Sequence, residues 1–159
     1  MPDTNQDLAH RLDRLESRTA IEALAFNYCH GFDKREFDRF LSIWWDDCVW
    51  DIGPPFGRFE GHAGIHEAVK DVLWPAWLQS QHITSNHVIE FESDDRAHAI
   101  CDVDCMGLLV GNPEATFVGA TYQDVAERRS GVWKIAQRKV TMHYFNNFAN
   151  TTLTKPETE

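Results

Sequence analysis

The strongest constraint on this fold lies in the second half of the chain. Between Gln81 and Phe145 the apolar residues fall into four long runs. Only short breaks separate them, at Asp94-Asp95, Gly111-Asn112-Pro113 and Arg129-Ser130-Gly131. A parallel return needs a crossover of about a dozen residues or more, so runs joined this tightly must fold back beside each other. The spacing predicts strands from Gln81 (Ile83, Val88, Ile89, Phe91), over Ala97–Val110, over Thr116–Glu127 and over Val132–Phe145.

The first half reads differently. From Thr4 to His30 apolar residues recur every three or four positions, the period of a helix. Leu8, Leu12 and Leu15 share one face, and Ile21, Leu24, Ala25 and Tyr28 continue a stripe expected to be buried, with Gly31 as the stop. A second helix is expected over Lys34–Ile43, with Phe37, Phe40 and Leu41 apolar. Trp44 to Trp50 leads into a short strand, Gly53-Pro54-Pro55-Phe56-Gly57 turns, and Phe59 lies on the return strand. A third helix is expected from Gly61 to about Trp74, ended by Pro75. Helices first and strands afterwards is the order of an α+β fold. The expected architecture is a strongly curved antiparallel sheet wrapped around the N-terminal helices, with an internal pocket. Residues 1–150 are expected to form one domain, and 151–159 a loose tail.

Composition narrows the function. The 159 residues carry a formal net charge of −10, which repels phosphate backbones and anionic membranes and favours a neutral, apolar ligand. No apolar run reaches the length of a membrane span, and the start of the chain shows no secretory pattern. The expected location is therefore the cytoplasm. There, Cys29, Cys48, Cys101 and Cys105 would be free thiols. No GxGxxG, P-loop or GxSxG motif is present, which argues against nucleotide cofactors and hydrolase chemistry. His62-x-x-x-His66 has ligand-like spacing but no HExxH form and no evident third ligand, so two surface histidines and no metal are expected.

Four residues could carry chemistry. Strand alternation puts His82, Thr84 and Asn86 on one face, against Ile83 and His87 on the other, and leaves open whether the polar row meets a pocket or solvent. Asp33 precedes Glu36 by three positions, a capping-box pattern, and spacing alone favours the cap. Arg138 sits between Ile135 and Val140 on the last strand, where a solvated charge would be unremarkable. Tyr28, one turn before the expected helix end, reads as a half-buried packing residue. The six tryptophans read mainly as core, with some available to line a pocket for a flat or cyclic ligand.

Taken together, several blocks resemble a known family: Asp33-Lys34-Arg35, Leu41 to Asp47, Val72 to Pro75, His82 with Asn86, Tyr122 to Lys134, and Met142 to Phe145. Their order and content are similar to the hexachlorocyclohexane dehydrochlorinases. These form a SnoaL-like branch of the superfamily that also holds nuclear transport factors, scytalone dehydratase and ketosteroid isomerases. The resemblance implies a cone-shaped α+β barrel, often trimeric, that acts without a cofactor on a small hydrophobic substrate. It implies a catalytic His–Asp pair at His82 and Asp33, with Arg138 in the place of an arginine that assists the departing chloride. Tyr28 stands where the dehydrochlorinases carry a lysine, and is similar to the dehydratases, in which a phenol polarises a substrate oxygen. Cys105 stands where the dehydratases carry an extra acid. The expected pocket wall is Trp50, Phe37, Asn86, Val103, Cys105 and Met142.

The expected function is a lyase that takes a proton from a bulky cyclic or aromatic substrate and expels HCl, water or formaldehyde. A non-catalytic binding or assembly module of the same fold is the alternative, and predicts His82 and Asp33 pointing apart or a filled pocket. A ketosteroid-type isomerase would instead need a carboxylate base in the cavity.

Overall fold

The computed structural model describes residues 4–112 and 114–149, so the expected tail lies outside the described residues. Helix α1 runs unbroken over Thr4–Asp33. Its stripe divides in two. Ile21, Leu24, Ala25, Tyr28 and Phe32 are buried, whereas Leu8, Leu12 and Leu15 are 61%, 53% and 63% exposed, contrary to expectation. Among the described residues, these early turns meet the sheet through polar contacts, Arg14 with Ser93 and Asp94 and Asp13 with Arg128, and leave the leucines uncovered.

Gly31 is not the helix stop. A Cβ there would sit 2.7 Å from the Phe40 backbone nitrogen, so this glycine permits close packing of the next helix. The chain reverses four residues later at Arg35, which takes the left-handed conformation (φ 59°). The Glu36 N–H bonds back to the Gly31 carbonyl at 2.9 Å, a six-residue closure that uses up an open helix-end carbonyl. The Arg35 guanidinium then donates to the backbone carbonyls of Trp74 and Trp77, locking this corner to the start of the sheet.

Helix α2 is shorter than expected, Phe37–Ser42, and its N-cap is Glu36, without a side-chain cap bond. Asp33 is therefore not a cap. Strands β1 (Trp44–Gly53) and β2 (Gly57–Glu60) form a hairpin. The expected third helix is real but irregular: α3 covers Gly61–His66, a π-helical stretch covers Glu67–Leu73, and a last turn, α4, spans Trp74–Ala76 around Pro75. The first long strand begins at Trp77, earlier than expected, giving β3 (Trp77–Phe91), β4 (Arg96–Leu109), β5 (Ala115–Arg129) and β6 (Val132–Phe148).

The sheet order is β2-β1-β6-β5-β4-β3. The meander β3–β6 is antiparallel as expected, but β1 lies parallel to β6, so the sheet is mixed. It is curved and unclosed, with β2 and β3 as edges, and α1 packs against β3 and β6. Phe40, Trp44, Cys48, Ile65, Ala68, Val69 and Ile135, all fully buried, centre the core where helices meet sheet. Truncating such a ring, as in Phe40→Ala, costs roughly 3–5 kcal/mol. No helix of the described residues is long and apolar enough to cross a membrane.

Candidate active site

Because α1 continues past Gly31, Asp33 lands on its final turn, beside the start of β3. There the carboxylate collects three donors. The Ser80 hydroxyl gives a bond of 2.7 Å, the His82 backbone N–H one of 2.7 Å, and the His82 ring nitrogen Nδ1 lies 2.6 Å from Oδ1. Burial alone would raise the Asp33 carboxyl. The His82 and Ser80 bonds outweigh it and hold the group below its ordinary value. An ionised Asp33 makes Nδ1 the protonated ring nitrogen, and the lone pair then sits on Nε2.

His82 lies between two spaces. On the Asp33 side is a cleft of ≈ 580 Å³, bordered by Phe26, His30, Lys34, Ser80 and Thr84 among others. On the other side is an inner cavity of ≈ 80 Å³ walled by side chains of both helices and sheet, among them Tyr28, Phe32, Trp50, Leu73, Val103, Cys105, Tyr122 and Met142. Its apolar, aromatic wall suits a neutral ligand, and the Tyr28 and Phe32 rings meet the imidazole edge-on at 5.8 and 5.1 Å. Phe145 is the lining ring with the most exposure (39%), which marks the mouth.

The closed end is more polar than its surroundings suggest. Tyr28 and Tyr122 are both buried, with their rings edge-on at 5.3 Å. Behind them lies Arg138, whose side chain is 0% exposed. Its Nε and one terminal nitrogen grip the Asp124 carboxylate at 2.7 Å each. The guanidinium carbon stands 4.6 Å from the Tyr28 ring centre and 4.2 Å from that of Tyr122. Burial works against the Arg138 charge, but Asp124 more than offsets it and the group titrates above its usual range. Burial also pushes the Tyr28 hydroxyl well up, while Arg138 pulls it down.

Measured against the sequence expectations, His82, Asp33 and Tyr28 come together, and Trp50, Val103, Cys105 and Met142 line the cavity. Tyr28 is fully packed rather than half-buried. Arg138 is near but is not part of the cavity wall. Two residues are displaced. Asn86 (φ 55°) sits in a bulge between Ser85 and Val88 that breaks the alternation, so it turns outward and bonds Asp102 at 2.9 Å. His87 turns inward instead, its ring 5.5 Å from Phe26. Phe37 packs on His66 and Trp74, away from the cavity.

Of the two histidines with ligand-like spacing, His62 reaches the Trp44 carbonyl at 3.1 Å and His66 lies on Phe37. No group of three or more metal-ligating side chains occurs among the described residues. All four cysteines are free and buried. The Cys29 thiol is pushed up to about 11 by burial and by Asp33. Three site residues escaped the sequence reading: Ser80, Tyr122 and Asp124. Alternation places Tyr122 and Asp124 on one face, but only the β5–β6 register sets Asp124 opposite Arg138.

The comparisons with known proteins agree with this fold. The SnoaL-like domain profile matches residues 13–139. Hexachlorocyclohexane dehydrochlorinase 1 of Sphingobium indicum is 39% identical over 145 residues, covering 91% of this chain and 94% of that protein. The crystal structure of LinA superposes with a TM-score of 0.87 at 37% identity, over 92% of this chain and 99% of the other. The LinA-type3 dehydrochlorinase of Novosphingobium barchaimii gives 0.86 at 38% identity, over 92% and 99%. A shared profile, a shared fold and end-to-end sequence similarity lead to one conclusion: this chain belongs to the SnoaL-like domain family, alongside the hexachlorocyclohexane dehydrochlorinases.

Proposed function

We propose that this protein is a cofactor-independent lyase in which His82 is the base and Asp33 its positioning partner. The observation that carries the reading is the 2.6 Å contact between His82 Nδ1 and Asp33 at the wall of an apolar cavity. The named relatives are dehydrochlorinases, and a lyase reading fits them. In the proposed reaction Nε2 takes a proton from a substrate carbon. The C–H electron pair forms a C=C bond, and the neighbouring substituent leaves with its bonding pair. Asp33 stabilises the imidazolium as it forms, as the carboxylate does in a Ser-His-Asp triad. The proton then passes to the leaving group or to water.

A positioned base contributes about 10²–10⁴-fold, so the dry cavity and its fixed dipoles must supply the remainder. The substrate we propose is hydrophobic and cyclic or aromatic. A dry cavity of about 150 Å³ holds benzene. The smaller space here takes a ring only when mouth side chains such as Phe145 move aside.

The test offers the protein a chlorinated cyclohexane, a hydroxysteroid and a diarylpropanediol, each followed by product analysis, and repeats the panel with His82→Ala. Elimination of one substrate, falling at least about 10²-fold in the variant, is the expected result. Turnover untouched by His82→Ala would falsify the base assignment. Absence of turnover across the panel would favour a binding module.

A further inference from the structure

The first half of α1 carries apolar side chains on a face that the body of the chain does not use. Leu8, Leu12 and Leu15 are each more than half exposed. They lie across the helix from Ser17, Ile21, Leu24 and Tyr28, which are buried. Polar contacts fix these early turns from the body side. Arg128 reaches Asp13 at 2.7 Å, Arg14 donates to the Ser93 carbonyl at 3.0 Å and to Asp94 at 2.8 Å, and the Trp133 ring N–H donates to Ser17 at 3.0 Å. The leucines are therefore held outward on a preformed helix.

Their spacing of four and then three residues is that of a coiled-coil seam, with Leu8 and Leu15 at d and Leu12 and Thr19 at a. Thr19 tolerates burial in such a seam, because its hydroxyl already donates to the Leu15 carbonyl at 3.1 Å. The seam is only about two heptads long, too short for an isolated helix to be stable. Here the packed second half of α1 anchors it, so association carries no cost of forming the helix.

Charge identifies the occupant. The whole chain carries −10, yet between Thr4 and Thr19 the acids Asp7, Asp13 and Glu16 are balanced by Arg11, Arg14 and Arg18. A second copy can approach this stretch without the repulsion exerted by the rest of the surface. In the same register Arg11 falls at g and Glu16 at the following e, the positions that meet across a parallel pair. Antiparallel packing would instead oppose Arg11 to Arg18. Within its own helix Arg11 has only a long contact, 3.9 Å to the exposed Asp7. The ends of the chain offer no substitute cover: residues 1–3 and 150–159 contain only Met1 and Leu153 as large apolar side chains.

We infer that the Leu8–Thr19 face of α1 is a self-association surface that pairs in parallel with the same face of a second copy, Arg11 of each meeting Glu16 of the other. The buried faces of the two helices point away from the seam, so the two bodies lie on opposite sides of it and do not collide. This pairing is independent of the lyase reading and doubles whatever assembly the rest of the surface forms.

Sedimentation equilibrium of the full chain at low ionic strength, over about a 100-fold range of concentration, tests it. The native mass should rise to twice that of Leu12→Glu, which should associate at least about 100-fold more weakly. Because Leu12 is exposed, the Tm of the variant in dilute solution should match that of the native protein. Arg11→Glu and Glu16→Arg should each weaken pairing about 10-fold, and the two together should restore it to within about 3-fold of native. Only a parallel copy of the same helix gives that rescue. A native mass equal to that of Leu12→Glu, a ratio other than two, or a double variant no better than either single one overturns the inference. Absence of doubling together with binding to phosphatidylcholine vesicles also overturns it, and assigns the leucines to a lipid surface.

Discussion

On one side of His82 the Asp33 side chain keeps 15% exposure and borders a cleft; beyond the cavity, behind the Tyr28 and Tyr122 rings, the Arg138 side chain keeps 0%. Both ends hold an ionic partner at short distance, His82–Asp33 at 2.6 Å and Arg138–Asp124 at 2.7 Å. The difference matches the tasks we propose for them. A base must gain and lose a proton in each turnover, so the dyad stays within reach of water. A fixed electrostatic background must not relax, so the arginine is sealed beneath aromatic rings, where its field is least screened. On the function we propose, the dyad end serves chemistry and the arginine end serves stability.

Substitutions at three positions sharpen or break that contrast. The largest effect is expected for Asp33→Asn. An amide can donate to Nδ1 and select the wrong tautomer, so kcat should fall by up to about 10⁴-fold, as in the equivalent change to a serine-protease triad, with KM little altered. Steady-state kinetics on the active substrate checks this. The same pair gives a pH test. The folded Asp33 carboxyl lies below its ordinary 3.8, so its stabilisation is complete above that value and is lost as pH falls through the folded one. Native protein should therefore exceed Asp33→Asn in Tm at neutral pH, and the gap should close only in acid below 3.8.

The second effect is on stability. Asp124→Asn strands the buried Arg138 charge and should cost about 3–5 kcal/mol in urea unfolding. A loss below about 1 kcal/mol would mean that the closed end is wetter than described, and the contrast between the two ends would fail. The smallest effect is expected at Asn86. Asn86→Ala places a Cβ-bearing residue without a local polar partner in the left-handed region, and should cost about 1–2 kcal/mol with kcat and KM unchanged. Asn86→Gly should restore most of the stability. A raised KM in either variant would return Asn86 to the substrate wall.

Local pattern made much of this protein legible. The four strands, their tight turns and the helices before them were readable because side-chain periodicity and turn chemistry act over a few residues. The boundaries moved where tertiary contact overrode them. Helix α1 outran Gly31 because Phe40 needed that glycine's empty side, and β3 began four residues early because Arg35 ties its first carbonyl to the helix corner. At the site, alternation alone could not choose the face of His82, and capping preference pointed Asp33 elsewhere. Only the family resemblance paired them.

By itself the sequence determined the α+β order, the antiparallel meander, the acidic surface that disfavours nucleic acid, and a short set of candidate residues. Tertiary structure alone decided that Asp33 reaches across 49 residues to His82, that a bulge throws Asn86 outward, and that β5 and β6 pair in the register that seals Arg138 against Asp124 behind two phenols. The reason is one of range. Periodicity and capping depend on neighbours within a turn or two, whereas strand register, the parallel β1–β6 pairing and the direction of a buried donor depend on how distant segments share one core.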